Sequence, residues 1–315
     1  MGTNPPASGP LIAVVGPTAS GKSDLALRLA VAFDGEIVGA DSRQVYRHLD
    51  IGTAKPTPEQ QAQAPHWLID VVDPSDEFSL RRYLDLAREA LTDIWSRGKR
   101  PFLVGGSGQY VWGLLEGWQV PRVAPDGELR RSLEERAKRE GAETLHRELA
   151  AVDADAAARI DARNVRRVVR ALEVHALSDS TAASSGGKLQ PPFDALILAI
   201  DRPRAELYRR IDERVDAMFA AGLVDEVGGL LARGYPPELP SMSGIGYRQV
   251  CQCLAGELSL AEATAKMKTE THRVARMQLT WFRRDDPRIH WLDPSTGDPY
   301  DEAVGIIKSA LGGKE

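Results

Sequence analysis

Short apolar runs alternate with segments of helical period along the first third of the chain. Leu11–Val15 ends on Gly16, and a turn separates it from Ser23–Ala32, whose apolar positions recur at helical spacing. Glu36–Ala40 reads as a second strand ending on Asp41-Ser42, and Trp67–Val72 as a third. Leu80–Trp95 has the period of a helix, and Arg100–Val104 is a strand that ends in Gly105-Gly106. Strands and helices of these lengths in alternation predict an α/β fold with a doubly wound, mainly parallel sheet covered on both faces. From about Arg122 the pattern changes. Pro125–Leu177 carries no strand signal, is rich in Ala, Glu and Arg, and predicts successive helices. The stretch Ser178–Lys188 (SDSTAASSGGK) reads as a flexible loop or hinge. Leu196–Ile200 is a strand again, and the remainder is helical up to a last strand at Arg288–Leu292. The economical organisation is an α/β core, residues 1–121 and 190–315, interrupted by a helical insertion domain, residues 122–189. No internal repeat is present.

Composition narrows the class without identifying it. The 315 residues are 43% hydrophobic and 27% charged, which is ordinary for a globular protein. No run reaches the eighteen or so apolar residues that a membrane span needs, and MGTNPPASGP lacks a basic-then-apolar signal pattern. The two cysteines, Cys251 and Cys253, suit a reducing compartment better than a disulfide framework. The expected location is the cytoplasm, with no membrane partner. A net charge of −5 argues against a protein that coats nucleic acid non-specifically, but it leaves room for local basic surfaces.

Chemistry enters at Gly16-Pro17-Thr18-Ala19-Ser20-Gly21-Lys22-Ser23, a full match to G-x-x-x-x-G-K-[ST] between a predicted strand and a predicted helix. Such a P-loop turns backbone N–H groups and a helix N-terminus toward a phosphate, with Lys22 on the terminal phosphate and the Ser23 hydroxyl on Mg²⁺. The motif suggests ATP binding, yet the strand Arg100–Val104 runs into Gly-Gly-Ser with no aspartate placed to hold a magnesium-bound water. Asp41, at the end of the second strand, faces the same crevice in a doubly wound sheet. It fits a general base or, more simply, a turn cap with Ser42. Gln44 and Tyr46 are near enough to read or stack on a base.

Two helices test whether the partner is anionic. In Arg204–Ala220, Leu207, Ile211, Val215 and Met218 form one stripe; Arg214 falls inside it and Arg210 on its edge. An inward guanidinium needs an anion, either a structural carboxylate or a diphosphate leaving group. In the helix expected from about Asp161, Arg163, Arg166, Arg167 and Arg170 share a face with Asp161 the only acid nearby. That is either a solvated face or a phosphate-binding stripe. Lys266–Arg288 adds seven basic residues against three acidic ones.

The blocks Asp41-Ser42-Arg43-Gln44-Val45-Tyr46, Ile51-Gly-Thr-Ala-Lys-Pro56, Pro65-His-Trp-Leu-Ile-Asp70, Gly105-Gly-Ser-Gly-Gln-Tyr110, Arg170-Ala-Leu-Glu-Val174, Gly244-Ile-Gly-Tyr-Arg248 and Thr280-Trp-Phe-Arg283 follow the P-loop in that order. Together they resemble the bacterial tRNA dimethylallyltransferases, also called tRNA isopentenyltransferases, from about residue 11 to 284. The resemblance implies passage of a dimethylallyl group from dimethylallyl diphosphate to the exocyclic N6 of the tRNA adenosine immediately 3′ of the anticodon, with diphosphate released. It implies that Thr18–Ser23 grip the donor's diphosphate, that Mg²⁺ is the cofactor and Ser23 its ligand, and that Asp41 is the general base. Thr18, Lys22, Arg210 and Arg214 complete the expected catalytic set. By the same resemblance Asp41, Ser42, Arg43 and Gln44 meet the flipped-out adenosine. Ser107, Arg130, Arg166, Arg167, Arg170, Ser243, Gly244, Ile245, Gly246, Tyr247, Arg248, Arg276, Gln278 and Arg283 fall at tRNA contacts. The partners implied are the tRNA anticodon stem-loop and dimethylallyl diphosphate, met by a monomer. This chain departs from the family pattern with Ser107 for the usual Thr, Arg166 for Gln, and Met277 in the basic block before Thr280-Trp281; His66-Trp67 has no role assigned. The competing class is a small-molecule or nucleoside monophosphate kinase, which shares a P-loop and a carboxylate across the crevice. A regulatory RNA-binding module with a vestigial P-loop is disfavoured, because Lys22, Ser23 and Asp41 are all in place.

Overall fold

A computed structural model describes residues 10–121, 123, 126–177, 187–295 and 297–312. The chain order is β1 (Leu11–Val15), α1 (Lys22–Ala32), β2 (Gly35–Ala40), α2 (Pro58–Gln63), β3 (His66–Trp67), α3 (Leu80–Ser96), β4 (Arg100–Gly105), α4 (Gly108–Leu115), α5 (Gly127–Glu140), α6 (Ala142–Val152), α7 (Ala154–Arg159), α8 (Val165–Leu177), β5 (Ala195–Ile200), α9 (Arg204–Ala220), α10 (Leu223–Ala232), α11 (Tyr247–Leu254), α12 (Leu260–Trp281), β6 (Ile289–Leu292) and α13 (Tyr300–Gly312). The chain divides into two compact units, residues 1–116 with 191–315, and residues 117–190.

The first unit is built on one sheet of order β3-β2-β4-β1-β5-β6, with every pair parallel. All five residues of β1 are fully buried, as expected of a central strand covered on both faces. Register sets the functional end: Val15 lies beside Gly105, and Gly105 beside Ala40, so the chain leaves β1, β4 and β2 at one level. The P-loop, Ser107 and Asp41 follow those three ends.

The third strand is shorter than the apolar run Trp67–Val72 predicts. Leu68 and Asp70 take φ of 65° and 56°, left-handed conformations that no strand continues through. Val72 returns only as an isolated bridge to Tyr46. His66 and Trp67 have structural partners: His66 Nδ1 lies 2.8 Å from the Ala64 carbonyl, and the Trp67 indole donates to Glu36 at 2.8 Å.

The second unit has its own core, in which Leu133, Leu145, Leu149, Val168, Val169 and Leu172 pack between α5, α6 and α8. An antiparallel bridge from Trp118 to Lys188 closes its base, with Gln119 N–H donating to Gly187 and Leu189 N–H to Gly117. The unit thus begins at residue 117, where the two chain passages pair, and not at the composition change near residue 122. Of the expected hinge Ser178–Lys188, residues 178–186 lie outside the described residues. The basic helix starts later than its sequence suggests. Asp161 accepts from Arg163 N–H in a turn, and α8 begins at Val165, so Arg163 is not on it.

Candidate active site

The P-loop leaves β1 at Gly16 (φ 138°) and enters α1 through Gly21 (φ 98°), both values that glycine adopts without strain. Lys22 folds back, its Nζ 3.2 Å from the Pro17 carbonyl. Helix α9 and the residues that lead into it then clip the loop from one side. Arg202 Nε donates to the Ser20 carbonyl at 2.7 Å, Arg210 Nε to the Ala19 carbonyl at 2.9 Å, and Arg214 Nη1 reaches the Thr18 hydroxyl at 3.4 Å. Of these three, Arg202 pairs with Glu206, but Arg210 and Arg214 have no carboxylate partner among the described residues. The structural ion pair weighed for Arg214 is therefore not what the fold provides. Both arginines line a cleft of about 490 Å³ with Lys22, Ser23 and Lys55, which sets four cations against the carboxylates Asp24 and Glu213 in the same lining.

Such a concentration of positive charge shows in the titration of its members. Enclosure and then the charge of Arg214 lower the Lys22 pKa to about 8, against the opposing charge of Asp41. Burial also lowers the Arg214 pKa, with Asp41 raising it and Arg210 lowering it again. A cluster like this is complete only with an anion between its members. For Mg²⁺ the cleft offers the Ser23 hydroxyl, and no group of three His, Cys, Asp or Glu side chains among the described residues is arranged for a metal. One hydroxyl, phosphate oxygens and water suit Mg²⁺, which keeps much of its hydration shell.

Asp41 makes the turn cap weighed for it. Its Oδ1 accepts from Arg43 N–H at 2.8 Å and Gln44 N–H at 3.4 Å, the turn cap, while no hydrogen bond among the described residues occupies Oδ2. The cap fixes the carboxylate beside the cleft and leaves one oxygen for chemistry. Ser42 N–H donates to the Ser107 hydroxyl at 3.2 Å, which joins the ends of β2 and β4. Arg43 is anchored on the Pro240 carbonyl at 2.6 Å, and the Gln44 amide donates to the Thr53 and Ala54 carbonyls at 3.1 Å each. These contacts use the amide nitrogen of the Gln44 side chain, and its oxygen has no hydrogen bond among the described residues. Tyr46 is not available for stacking: only 4% of it is exposed, inside a core with Val45, Leu49 and Tyr247.

Several expected contacts are relocated. Tyr247 is buried, and its hydroxyl donates to Glu226 at 2.6 Å, so its ring has no face for RNA. Gly244 and Gly246 are buried as well, with Gly246 (φ 95°) opening α11; Ser243 and Arg248 are exposed and Ile245 half-buried. Arg248 pairs with Glu270. Arg276 and Met277 are exposed, and Arg276 donates to the Tyr208 hydroxyl at 2.8 Å. Arg283 is exposed and paired with Asp285. Gln278 does not face outward: its carboxamide accepts from Thr18 N–H at 2.8 Å and donates to the Gly106 carbonyl at 3.1 Å. Cys251 and Cys253 are free thiols on α11.

In the second unit the arginine stripe is broken by an acid. Glu173 is fully buried, and Arg130 (2.8 Å) and Arg170 converge on it while Asp126 N–H donates at 2.7 Å. Burial alone would raise the Glu173 pKa, but Arg130, Arg170 and the Asp126 amide outweigh it and hold the carboxyl below its usual range. Asp161 was thus not the only acid near the stripe. Arg163 pairs with Asp161, and Arg166 and Arg167 alone remain exposed without an ion-pair partner among the described residues.

Sequence reasoning also missed Glu226, which organises the loop 50–52. Its Oε2 accepts from Asp50 N–H (3.0 Å) and Ile51 N–H (2.7 Å), and its Oε1 from Gly52 N–H (3.2 Å). A side chain at Gly52 would meet the Tyr247 ring at 2.6 Å. The pairing of Ile51-Gly52 with Gly244–Arg248 in one sequence was the only hint of it. Lys55, nearly buried, closes the same loop onto Asp50 and Asp70.

Residues 44–285 match the model of a family described as IPP transferase. A tRNA dimethylallyltransferase of Roseiflexus sp. (strain RS-1) is 50% identical over 95% of this chain and 98% of its own. That of Chloroflexus aurantiacus (strain ATCC 29366 / DSM 635 / J-10-fl) is 55% identical over 87% and 93%. Among solved structures, a tRNA isopentenylpyrophosphate transferase from Bacillus halodurans superposes with a TM-score of 0.69 at 37% identity, covering 96% of this chain and 97% of that one. A eukaryotic dimethylallyltransferase studied acting on tRNA gives 0.79 at 26% identity, covering 98% and 81%.

Proposed function

The chain belongs to the IPP transferase family, whose named relatives are tRNA dimethylallyltransferases, and on that premise we propose the chemistry of its cleft. The protein is a prenyltransferase that passes a dimethylallyl group to tRNA. The donor is dimethylallyl diphosphate, and the acceptor is the N6 amine of the adenosine immediately 3′ of the anticodon. The observation that carries the reading is the pair Arg210 and Arg214, which face the P-loop and form no ion pair among the described residues.

As the adenine amine attacks the allylic carbon, the carbon–oxygen bond of the donor breaks and its electron pair leaves on diphosphate. Negative charge therefore grows on the leaving group, where Lys22, Arg210, Arg214 and the loop amides surround it; donors aimed at developing charge do the most for the rate. Ser23 is the residue that would hold Mg²⁺, which would supply further charge neutralisation of the diphosphate. The free oxygen of Asp41 takes the proton that the amine loses. The adenosine must leave its stack to reach Asp41, so base recognition belongs to Asp41–Gln44 in the core. The helical unit, residues 117–190, contributes phosphate contacts on the anticodon stem through Arg166 and Arg167, which set affinity rather than base choice. The enzyme works as a monomer in the cytoplasm; no helix among the described residues is long and apolar enough to cross a membrane.

The test is incubation of the purified protein with labelled dimethylallyl diphosphate, Mg²⁺ and an anticodon stem-loop. Label enters the RNA when adenosine stands at the target position and not when guanosine does. Phosphorylation of a nucleoside from ATP at ordinary kinase rates, without transfer to RNA, overturns the assignment.

A further inference from the structure

The turn after β4 is Gly105-Gly106-Ser107-Gly108, and the fold explains why glycine recurs there. A Cβ on Gly105 would sit 2.1 Å from the Ala40 carbonyl oxygen, which keeps β4 tight against β2. The other two glycines face α12. A Cβ on Gly106 would lie 2.5 Å from Gln278 Nε2 and 2.9 Å from the Gly16 carbonyl oxygen, and one on Gly108 would lie 2.1 Å from the Trp281 ring. Helix α12 is therefore seated on the turn at the place where a P-loop hydrolase carries its magnesium-binding aspartate. At that seat Gln278 makes its two bonds, accepting from Thr18 N–H and donating to the Gly106 carbonyl.

We propose that Gln278 is a positioning residue of the donor site, a brace that fixes the P-loop at Thr18 against the end of β4, and not a contact to RNA. Only a carboxamide fits the brace. One oxygen must accept from Thr18 N–H while the neighbouring nitrogen donates to a carbonyl, and a carboxylate would turn an acceptor toward the Gly106 oxygen. Thr18 is worth fixing, because its hydroxyl faces Arg214 across the mouth of the loop. Its N–H is held by Gln278, while the N–H groups of Ala19, Gly21, Lys22 and Ser23 donate to no other described residue and stay open to an anion. The brace and the anion-binding amides thus do not compete. Gln278 also stands on the helix that carries exposed Arg276 and Met277, so one element presents both basic and apolar side chains outward and holds the donor loop inward.

The inference rests on the donor-site reading above but can fail separately from it, because its primary readout is diphosphate and not prenyl transfer. Gln278→Met keeps the length and removes both bonds; Gln278→Glu keeps the acceptor and loses the donor. Gln278→Asn keeps the carboxamide but draws it back by one methylene, out of reach of Thr18 and Gly106, and stands in if another Gln278 variant does not fold. Binding of inorganic diphosphate with Mg²⁺ is followed by calorimetry, and binding of the anticodon stem-loop by fluorescence anisotropy. Losing a well-placed partner for a half-enclosed amide predicts a rise in the diphosphate dissociation constant of about tenfold in each variant. Stem-loop affinity stays within about twofold, and the apparent KM for the donor rises in step with the diphosphate constant. Unchanged diphosphate affinity in Gln278→Met overturns the proposal, and weakened stem-loop affinity with diphosphate binding intact assigns the residue to the RNA. If wild type binds diphosphate but transfers no prenyl group, the functional reading falls and the brace is still decided by the first measurement.

Discussion

Lys22→Met trades stability against donor binding, and the size of the trade can be worked from the fold. The folded pKa of about 8 against the ordinary 10.5 means that holding Lys22 charged in its enclosure costs roughly 3 kcal/mol. The unfolded chain binds this proton up to pH 10.5 and the folded chain only up to about 8. The penalty is therefore complete below pH 8, shrinks as pH rises from 8 toward 10.5, and is gone above that. Methionine has nearly the same length and no charge, but it loses the bond to the Pro17 carbonyl, worth about 1 kcal/mol. Lys22→Met should thus gain about 2 kcal/mol at pH 7, seen as a raised denaturation midpoint, and the gain should fade toward pH 10.5. The loss appears in binding. A bound diphosphate restores the charged lysine, so at pH 9 the wild type takes up about 0.9 proton on binding the donor, and at pH 7 only about 0.1. Calorimetry of a non-reactive donor analogue, in buffers of different ionisation enthalpy at fixed Mg²⁺, measures that uptake. Equal proton uptake by wild type and Lys22→Met at pH 9, with no stability gain at pH 7, would refute the reasoning.

Asp41→Asn should lower turnover by ~10²–10⁴ while donor and stem-loop affinities stay within a few-fold, since a general base acts in the transition state; ordinary turnover would leave Asp41 a turn cap and nothing more. Arg214→Met should lower turnover about a hundredfold or more and raise the donor's binding constant much less, because charge on diphosphate grows as the bond breaks. An effect confined to KM would place Arg214 in ground-state binding. Replacing Arg166 and Arg167 together by alanine should weaken stem-loop binding and flatten its salt dependence by roughly 0.7–0.9 log unit per lost phosphate contact, with the melting temperature unchanged. Arg170→Ala should instead destabilise the helical unit, because it strips a partner from buried Glu173; a stable variant with a flattened salt slope would mean that the ion pair is incidental.

The sequence determined the sheet, the P-loop and the family by itself. Central strands of a parallel sheet are apolar on both faces, and a phosphate loop needs its glycines, lysine and serine contiguous, so both signals are local. It also placed Arg210 and Arg214 on the inner side of α9, since helical period fixes which residues share a face. What pairs with them is a long-range fact. Arg214 could not be told apart from a structural ion pair until α9 was seen against Thr18, nearly two hundred residues away in the chain. The same limit hid the Glu226 hub beneath Ile51-Gly52, the brace from Gln278 to Thr18, and the burial of Tyr46 and Tyr247. In the helical unit the charge stripe was visible, but Glu173, fully buried one turn on from Arg170, neutralises that member of it together with Arg130 of α5. Period tells which side of a helix a residue occupies. Only packing decides whether that side meets solvent, a carboxylate or the loop that holds the substrate.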